Sequence, residues 1–262
     1  MMKRKVFLFL LIIVLLSSIQ VLAKDNSVEL NKAELKERLK FSENRVRAYS
    51  NLALIAKREG KIDKAVIYYQ KALRLNSNSV SNHISLGDLY LKQDKVKKAI
   101  KEYLIAKNLT SHFIPRQKLG VLYYKLGNYH KTISYLEELE RNNNETYIGY
   151  YYLAAAKRQL GDIKTAIDYY QRALELNSTY VKGYLGLGDA YLDNGQNSLA
   201  LAAYKSAIKV NPNYYLSRFK LAHAYVTLNK LELAKKSLRK TLHLKSNFNE
   251  AREILTELEK MK

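Results

Sequence analysis

The sequence predicts an all-α fold, a solenoid of about six helix-turn-helix units with a flanking helix at each end. Three observations predict it. First, a Leu followed by a small residue recurs, the small residues being Ala53, Gly87, Gly120, Ala154, Gly188 and Ala222, at spacings of 34, 33, 34, 34 and 34. Second, three further columns keep phase with the first: Ala65, Ala99, Thr132, Ala166, Ala200 and Ala234; then Tyr69, Tyr103, Leu136, Tyr170, Tyr204 and Leu238; then Ala72, Ala106, Leu139, Ala173, Ala207 and Thr241. Third, 2 Pro and 10 Gly in 262 residues permit long helices with few rigid turns.

The elements follow in chain order. Residues 1–23 have the layout of a secretory leader. Lys3, Arg4 and Lys5 are basic, Val6–Leu16 is an unbroken apolar run, and the segment ends in Val21-Leu22-Ala23. This predicts cleavage between Ala23 and Lys24. Retention of residues 6–23 as an uncleaved membrane anchor is the alternative. Either outcome places the body across the inner membrane, in the periplasm or envelope. Within residues 24–45, Val28–Phe41 reads as a flanking helix with Leu30, Ala33, Leu35 and Leu39 on one face.

Each repeat then contains two apolar-periodic stretches split by a short turn, as in Arg58-Glu-Gly-Lys, Gln159-Leu-Gly-Asp and Asp193-Asn-Gly-Gln. Glycine at a helix end supplies the left-handed backbone that stops the helix. The small columns mark where two helices pass closely, and the large column fills the gap between them. One helix pair cannot bury both faces, so stacked neighbours complete the core. Residues 249–262 read as a capping helix with Ala251, Ile254, Leu255 and Leu258 inward.

These columns resemble the tetratricopeptide-repeat family over Val46–Phe248. The fifth unit carries the family pattern most fully, as Tyr184, Leu187-Gly188, Tyr191, Gly195, Ala200, Tyr204, Ala207 and Pro212. The resemblance implies a right-handed superhelical solenoid with units at 46–79, 80–112, 113–146, 147–180, 181–214 and 215–248. The third unit departs from the pattern at Thr132 and Leu139 and enters through Pro115, which predicts altered helix packing there. The sixth weakens at Thr241.

The resemblance also implies binding on a concave face built from the first helix of each unit. Stepping off the core columns by helical spacing gives a lining of apolar, aromatic and scattered charged residues, Leu185, Asp189 and Lys220 among them. Aromatics and Arg are the usual anchors of an interface, so Tyr124, Tyr151, Tyr152, Arg158, Lys182 and Phe219 are the expected partner contacts. Tyr69, Tyr103, Tyr170 and Tyr204 belong to packing instead. The carboxylate clamp of chaperone-binding relatives is absent from the first three units. Its places hold Ser50, Leu54, Ser85, Ile114 and Lys118, of which only Lys118 is basic.

The formal net charge is +21, and removing the three basic leader residues leaves +18. The charge is uneven: Lys95, Lys97, Lys98 and Lys101 form a basic patch in the second unit. Such a surface suits anionic lipid or cell-wall polymer, whereas the leader argues against nucleic acid. The chain has no Cys, which excludes disulfides, thiolate metal sites, Cys nucleophiles and Cys-linked lipid anchors. The five His show no metal spacing, and no phosphate loop or nucleophile motif occurs. The sequence therefore predicts neither catalysis nor cofactor nor metal. It predicts a protein- or peptide-binding scaffold of the envelope. The alternatives are a basic tether to lipid or wall polymer, and a structural subunit of an envelope assembly or transport complex.

Overall fold

The computed structural model describes residues 45–141 and 144–261. The expected leader at 1–23 and the expected helix Val28–Phe41 lie outside the described residues. The described residues form thirteen helices and no strand. They divide into two compact bodies, one ending at Ser111 and the other beginning at His112.

The first body holds α1 (Arg45–Arg58), α2 (Ile62–Leu75), α3 (Val80–Lys92) and α4 (Val96–Leu109). The second holds α5 (Phe113–Lys125), α6 (Tyr129–Arg141), α7 (Tyr147–Gln159), α8 (Ile163–Leu176), α9 (Val181–Asp193), α10 (Asn197–Val210), α11 (Tyr215–Thr227), α12 (Leu231–Leu244) and α13 (Asn249–Lys260). Within each body every helix packs most closely on its chain neighbour. In the second body the first helices of successive pairs, α5, α7, α9 and α11, also touch one another in turn. They make the continuous face on which the candidate site lies.

The four columns read from the sequence are buried in both bodies. Ala65, Ala99, Thr132, Ala166, Ala200 and Ala234 are all 0 % exposed, so a larger side chain there would separate the paired helices. Tyr103 and Tyr204 are also 0 % exposed and fill the space between first and second helices. The turns obey one rule. A residue with positive φ ends each first helix: Gly60, Asp94, Gly127, Gly161, Gly195 and Asn229. The next N–H then donates back into the helix it leaves, as Lys61 to the Ala56 carbonyl, Asp162 to Lys157 and Gln196 to Tyr191. This satisfies a carbonyl that the helix end would otherwise leave open. Asp94 and Asn229 serve because short polar side chains tolerate this backbone region best after Gly.

The irregular third unit keeps its helix pair through local compensation. Pro115 is buried in the first turn of α5, where its missing N–H has no intrahelical acceptor to lose. The Thr132 hydroxyl donates to the Asn128 carbonyl at 3.1 Å and so carries no orphaned polar atom into the core. Leu139, large in a small column, is 2 % exposed and packs with Leu136, Tyr150 and Leu153. At the other end, Ala251 and Leu258 of α13 are buried while Arg252, Glu253, Thr256 and Glu257 are exposed.

Candidate functional site

Helices α5, α7, α9 and α11 line two adjoining hollows in the second body. The first, of about 300 Å³, is bounded by Tyr124, Tyr151, Ala155, Arg158, Tyr170, Lys182, Leu185, Gly186, Asp189, Tyr214, Leu216 and Lys220. The second, of about 290 Å³, is bounded by Gln117, Lys118, Val121, Tyr147, Ile148, Tyr152 and Tyr180. A chain of tyrosine rings joins them. Tyr124 meets Tyr152 edge-on at 5.2 Å, Tyr152 meets Tyr151 at 5.1 Å, and Tyr151 meets Tyr180 at 5.3 Å. These separations lie within the range in which aromatic pairs attract. The rings therefore form a preorganised wall that costs a ligand little ordering.

Asp189 organises the charge of the first hollow. Its Oδ1 accepts the Tyr204 hydroxyl at 2.6 Å, and its Oδ2 accepts the Lys220 ammonium at 2.9 Å. The Arg158 guanidinium lies 3.7 Å from that same Oδ2 and donates through Nε to Asp193 at 2.5 Å. Burial opposes the Arg158 charge, but the hydrogen bond to Asp193 and the charges of Asp189 and Asp193 outweigh it and raise its pKa. Burial, and secondarily the neighbouring phenols, raises the pKa of Tyr151, and burial first of all holds that of Tyr170 well above the ordinary value. The phenols are thus neutral donors at any physiological pH. Lys182 is exposed and has no charged partner among the described residues. Three cations and one carboxylate line the hollow, which leaves it electropositive.

The structure brings most of the expected contact residues together. Tyr124, Tyr151, Arg158 and Lys182 border the first hollow, and Tyr152 borders the second. Phe219 does not belong with them. It is 7 % exposed, with its ring 4.8 Å from that of Phe248, the residue before α13. Its helical position points along the groove, but the chain turning into α13 covers it. The groove also uses Tyr147, Tyr170, Tyr180 and Tyr214, which were not among the expected contacts. A sequence signal for two of them existed. Tyr180, Tyr214 and Phe248 recur at intervals of 34, and Tyr180 and Phe248 fold back on the first helix of their own unit. The Tyr151–Tyr180 and Phe219–Phe248 pairs show that fold-back directly.

The expected basic patch lies in the first body. Lys95 precedes α4 and donates to Gln93 at 3.0 Å, while Lys97, Lys98 and Lys101 are exposed on α4. Lys98 sits over the Tyr90 ring at 5.7 Å. Lys101 edges a separate hollow of about 340 Å³ beside His83. That His is clamped between two acceptors, Glu102 at 2.6 Å from Nδ1 and the Ser77 carbonyl at 2.8 Å from Nε2. The arrangement ties α3 to α4 and to the turn after α2. Among the described residues no group of three or more His, Cys, Asp or Glu could hold a metal ion. No helix among them is long and apolar enough to cross a membrane.

Models of tetratricopeptide repeats match residues 46–79, 117–143 and 216–248, and a TPR-repeat model matches 154–195 and 188–229, together more than half of the chain. A curated relative, Protein O-mannosyl-transferase Tmtc3 of Drosophila melanogaster, is 26% identical over 83 residues, which are 32% of this chain and 8% of that protein. Among solved structures, the APC/C hetero-tetramer Cut9-Hcn1 is similar with a TM-score of 0.71 at 20% identity, covering 89% of this chain and 46% of that one. A tetratricopeptide repeat protein from Parabacteroides merdae has a TM-score of 0.66 at 18% identity, over 90% of this chain and 94% of its own. PilW, described as a widely conserved type IV pilus biogenesis factor, has a TM-score of 0.71 at 15% identity, over 80% of this chain and 98% of its own. The chain thus spans under a tenth of its curated relative and about half of the first of these structures. At these identities the structural likeness establishes the fold alone.

Proposed function

The chain belongs to the tetratricopeptide-repeat family, and on that premise we propose that it is a non-catalytic interaction scaffold of the cell envelope. It holds a peptide segment or partner protein in the groove of its second body. The observation that carries this reading is the ring wall of Tyr124, Tyr151, Tyr152 and Tyr180 beside Arg158 and Lys182. Rigid aromatics with an interposed cation are what a peptide-binding interface concentrates. The envelope location rests on the leader-like residues 1–23, with 6–23 as an anchor if cleavage does not occur. The repeat units of this scaffold run from 46 to 248, with 249–262 as the cap.

A second reading is supported by Lys97, Lys98 and Lys101, exposed together on α4, which would tether the protein to anionic lipid or wall polymer. One experiment separates the two. The full chain, crosslinked in its native cell, captures a partner whose recovery is measured for two variants. The groove reading expects Tyr151→Ala with Tyr152→Ala to abolish capture and Lys97→Glu with Lys98→Glu to leave it intact. The opposite pattern, with retention that falls steeply as salt rises, overturns the groove reading in favour of the tether.

A further inference from the structure

Two repeats lock their helix pair with a tyrosine-to-aspartate hydrogen bond. Tyr103 donates to Asp88 at 2.5 Å and Tyr204 to Asp189 at 2.6 Å, each from a second helix to a first. The same tyrosine recurs as Tyr170 on α8, but Ala155 stands where the aspartate would be. Tyr170 is 2 % exposed, and its hydroxyl has no hydrogen-bond partner among the described residues. That hydroxyl is not sealed in the core, since Ser217 Oγ is the one fully buried orphan side-chain atom among the described residues, so it stands at the edge of the first hollow as a donor open to a ligand.

The ring leans forward onto the next repeat. A Cβ at Gly186 would lie 2.4 Å from the Tyr170 ring and 2.9 Å from its hydroxyl, so the glycine opens the space that the phenol enters. Both residues border the first hollow. Around it stand Arg158, Lys182 and Lys220, while Asp189 is engaged by Tyr204 and Lys220.

We propose that this hollow receives the side-chain carboxylate of an Asp or Glu within an extended partner peptide, which gives Tyr170 the acceptor that Ala155 withholds. Charge complementarity selects the acid: the carboxylate accepts from the phenol and faces the exposed Lys182 ammonium. The tyrosine-walled hollow of Tyr152 and Tyr180 takes an apolar neighbour of that acid. An internal residue fits better than a chain end, because the lining continues on both sides, to Val121 on α5 and to Leu216 on α11. The inference rests on the groove reading above and names the chemistry of its occupant.

The test is a selection of linear peptides with amidated carboxyl ends on the immobilised full chain. Enrichment of Asp or Glu beside an apolar residue is expected. Replacing that acid by its amide, or replacing Tyr170→Phe in the protein, should each weaken binding about tenfold, the effect of one hydrogen bond to a charged group. Tyr170→Phe should weaken the amide peptide less than the acid peptide, because an amide oxygen still accepts from the phenol but carries no charge. Ala155→Asp rebuilds the lock used by Asp88 and Asp189, so it should keep the helical circular dichroism and erase the preference for acid. Selected peptides that lack an acid, or that bind Tyr170→Phe equally well, overturn the carboxylate subsite and leave the groove standing. A preference that appears only with free carboxyl ends overturns the commitment to a side chain. Recovery of no peptide, or of peptides indifferent to Tyr151→Ala with Tyr152→Ala, removes the groove reading along with it.

Discussion

Replacing Asp189 by Ala tests whether the tyrosine lock holds a repeat together. The carboxylate is 16% exposed and accepts from Tyr204 at 2.6 Å and from Lys220 at 2.9 Å. Tyr204 is 0 % exposed, so the substitution leaves a buried hydroxyl unpaired, at a cost of about 1.5–3 kcal/mol for a bond to a charged acceptor. The Lys220 pair is 39% exposed on the lysine side and adds only about 0–1 kcal/mol. The expected loss is therefore about 1.5–4 kcal/mol, concentrated in α9 and α10. Tyr204→Phe alone removes the donor and leaves Asp189 its Lys220 partner, so it should cost less, about 1 kcal/mol. In the double variant the orphaned hydroxyl is gone, and the two effects should couple by about 1.5 kcal/mol or more. Stacked repeats open in parts, so a single global unfolding midpoint is a poor readout. Amide hydrogen exchange in α9 and α10 reports the local opening free energy directly. Additive single effects in that cycle would refute the argument that the Asp–Tyr bond, and not the packing of each side chain alone, closes the pair. Asp88 and Tyr103 supply a second cycle that should give coupling of the same sign.

Two further outcomes follow from buried polar groups. Burial, and then Glu140, pushes the Tyr169 phenol up to about 12, and burial above all raises Tyr103, Tyr151, Tyr170, Tyr180 and Tyr204. An unfolded tyrosine titrates near 10, so above that pH the folded chain holds protons that the unfolded chain releases. Their contribution to stability is complete below about pH 10 and declines as pH rises towards 12 and beyond. Phenolate absorbance should show part of the 22 tyrosines titrating early and the rest only with loss of helix; one common titration near 10 with helicity intact would contradict this. The Ser217 hydroxyl is fully buried without a partner, so Ser217→Ala should stabilise its repeat by about 1 kcal/mol and slow amide hydrogen exchange in α11. Unchanged or faster exchange there would count against it.

The fold was legible because burial in a stacked repeat is periodic. Each of the four columns repeats one packing problem, so Ala65 and Ala234 face the same constraint although 169 positions separate them. The turn residues were legible for the same reason, with Asp94 and Asn229 taking the left-handed place that Gly holds elsewhere. The third unit, where the sequence predicts altered packing, keeps its helix pair, and the boundary between the two bodies falls at its entry, at His112. Its departures from the pattern are accommodated locally, Pro115 by its place in the first turn of α5 and Thr132 by the Asn128 carbonyl. Local fits of that kind leave no mark in a single-column reading.

The candidate site was legible only where helical spacing decides it. Tyr124, Tyr151, Tyr152, Arg158 and Lys182 follow from the geometry of one helix face, and each borders a hollow. Phe219 fails because Phe248, the last residue of its own repeat, folds back over that face, a contact that spacing within α11 cannot register. Tyr170 was set aside as packing because its column is packing, and for Tyr103 and Tyr204 it is. What distinguishes Tyr170 is a partner missing fifteen residues earlier, at Ala155, and a glycine sixteen residues later, at Gly186. Neither is unusual alone. Only the packing of α8 between α7 and α9 reveals that one removes the acceptor while the other opens the space, which turns a core tyrosine towards the groove. In a repeat protein the columns encode the scaffold, so specificity has to be sought where a column's usual partner is absent and its neighbour has shrunk.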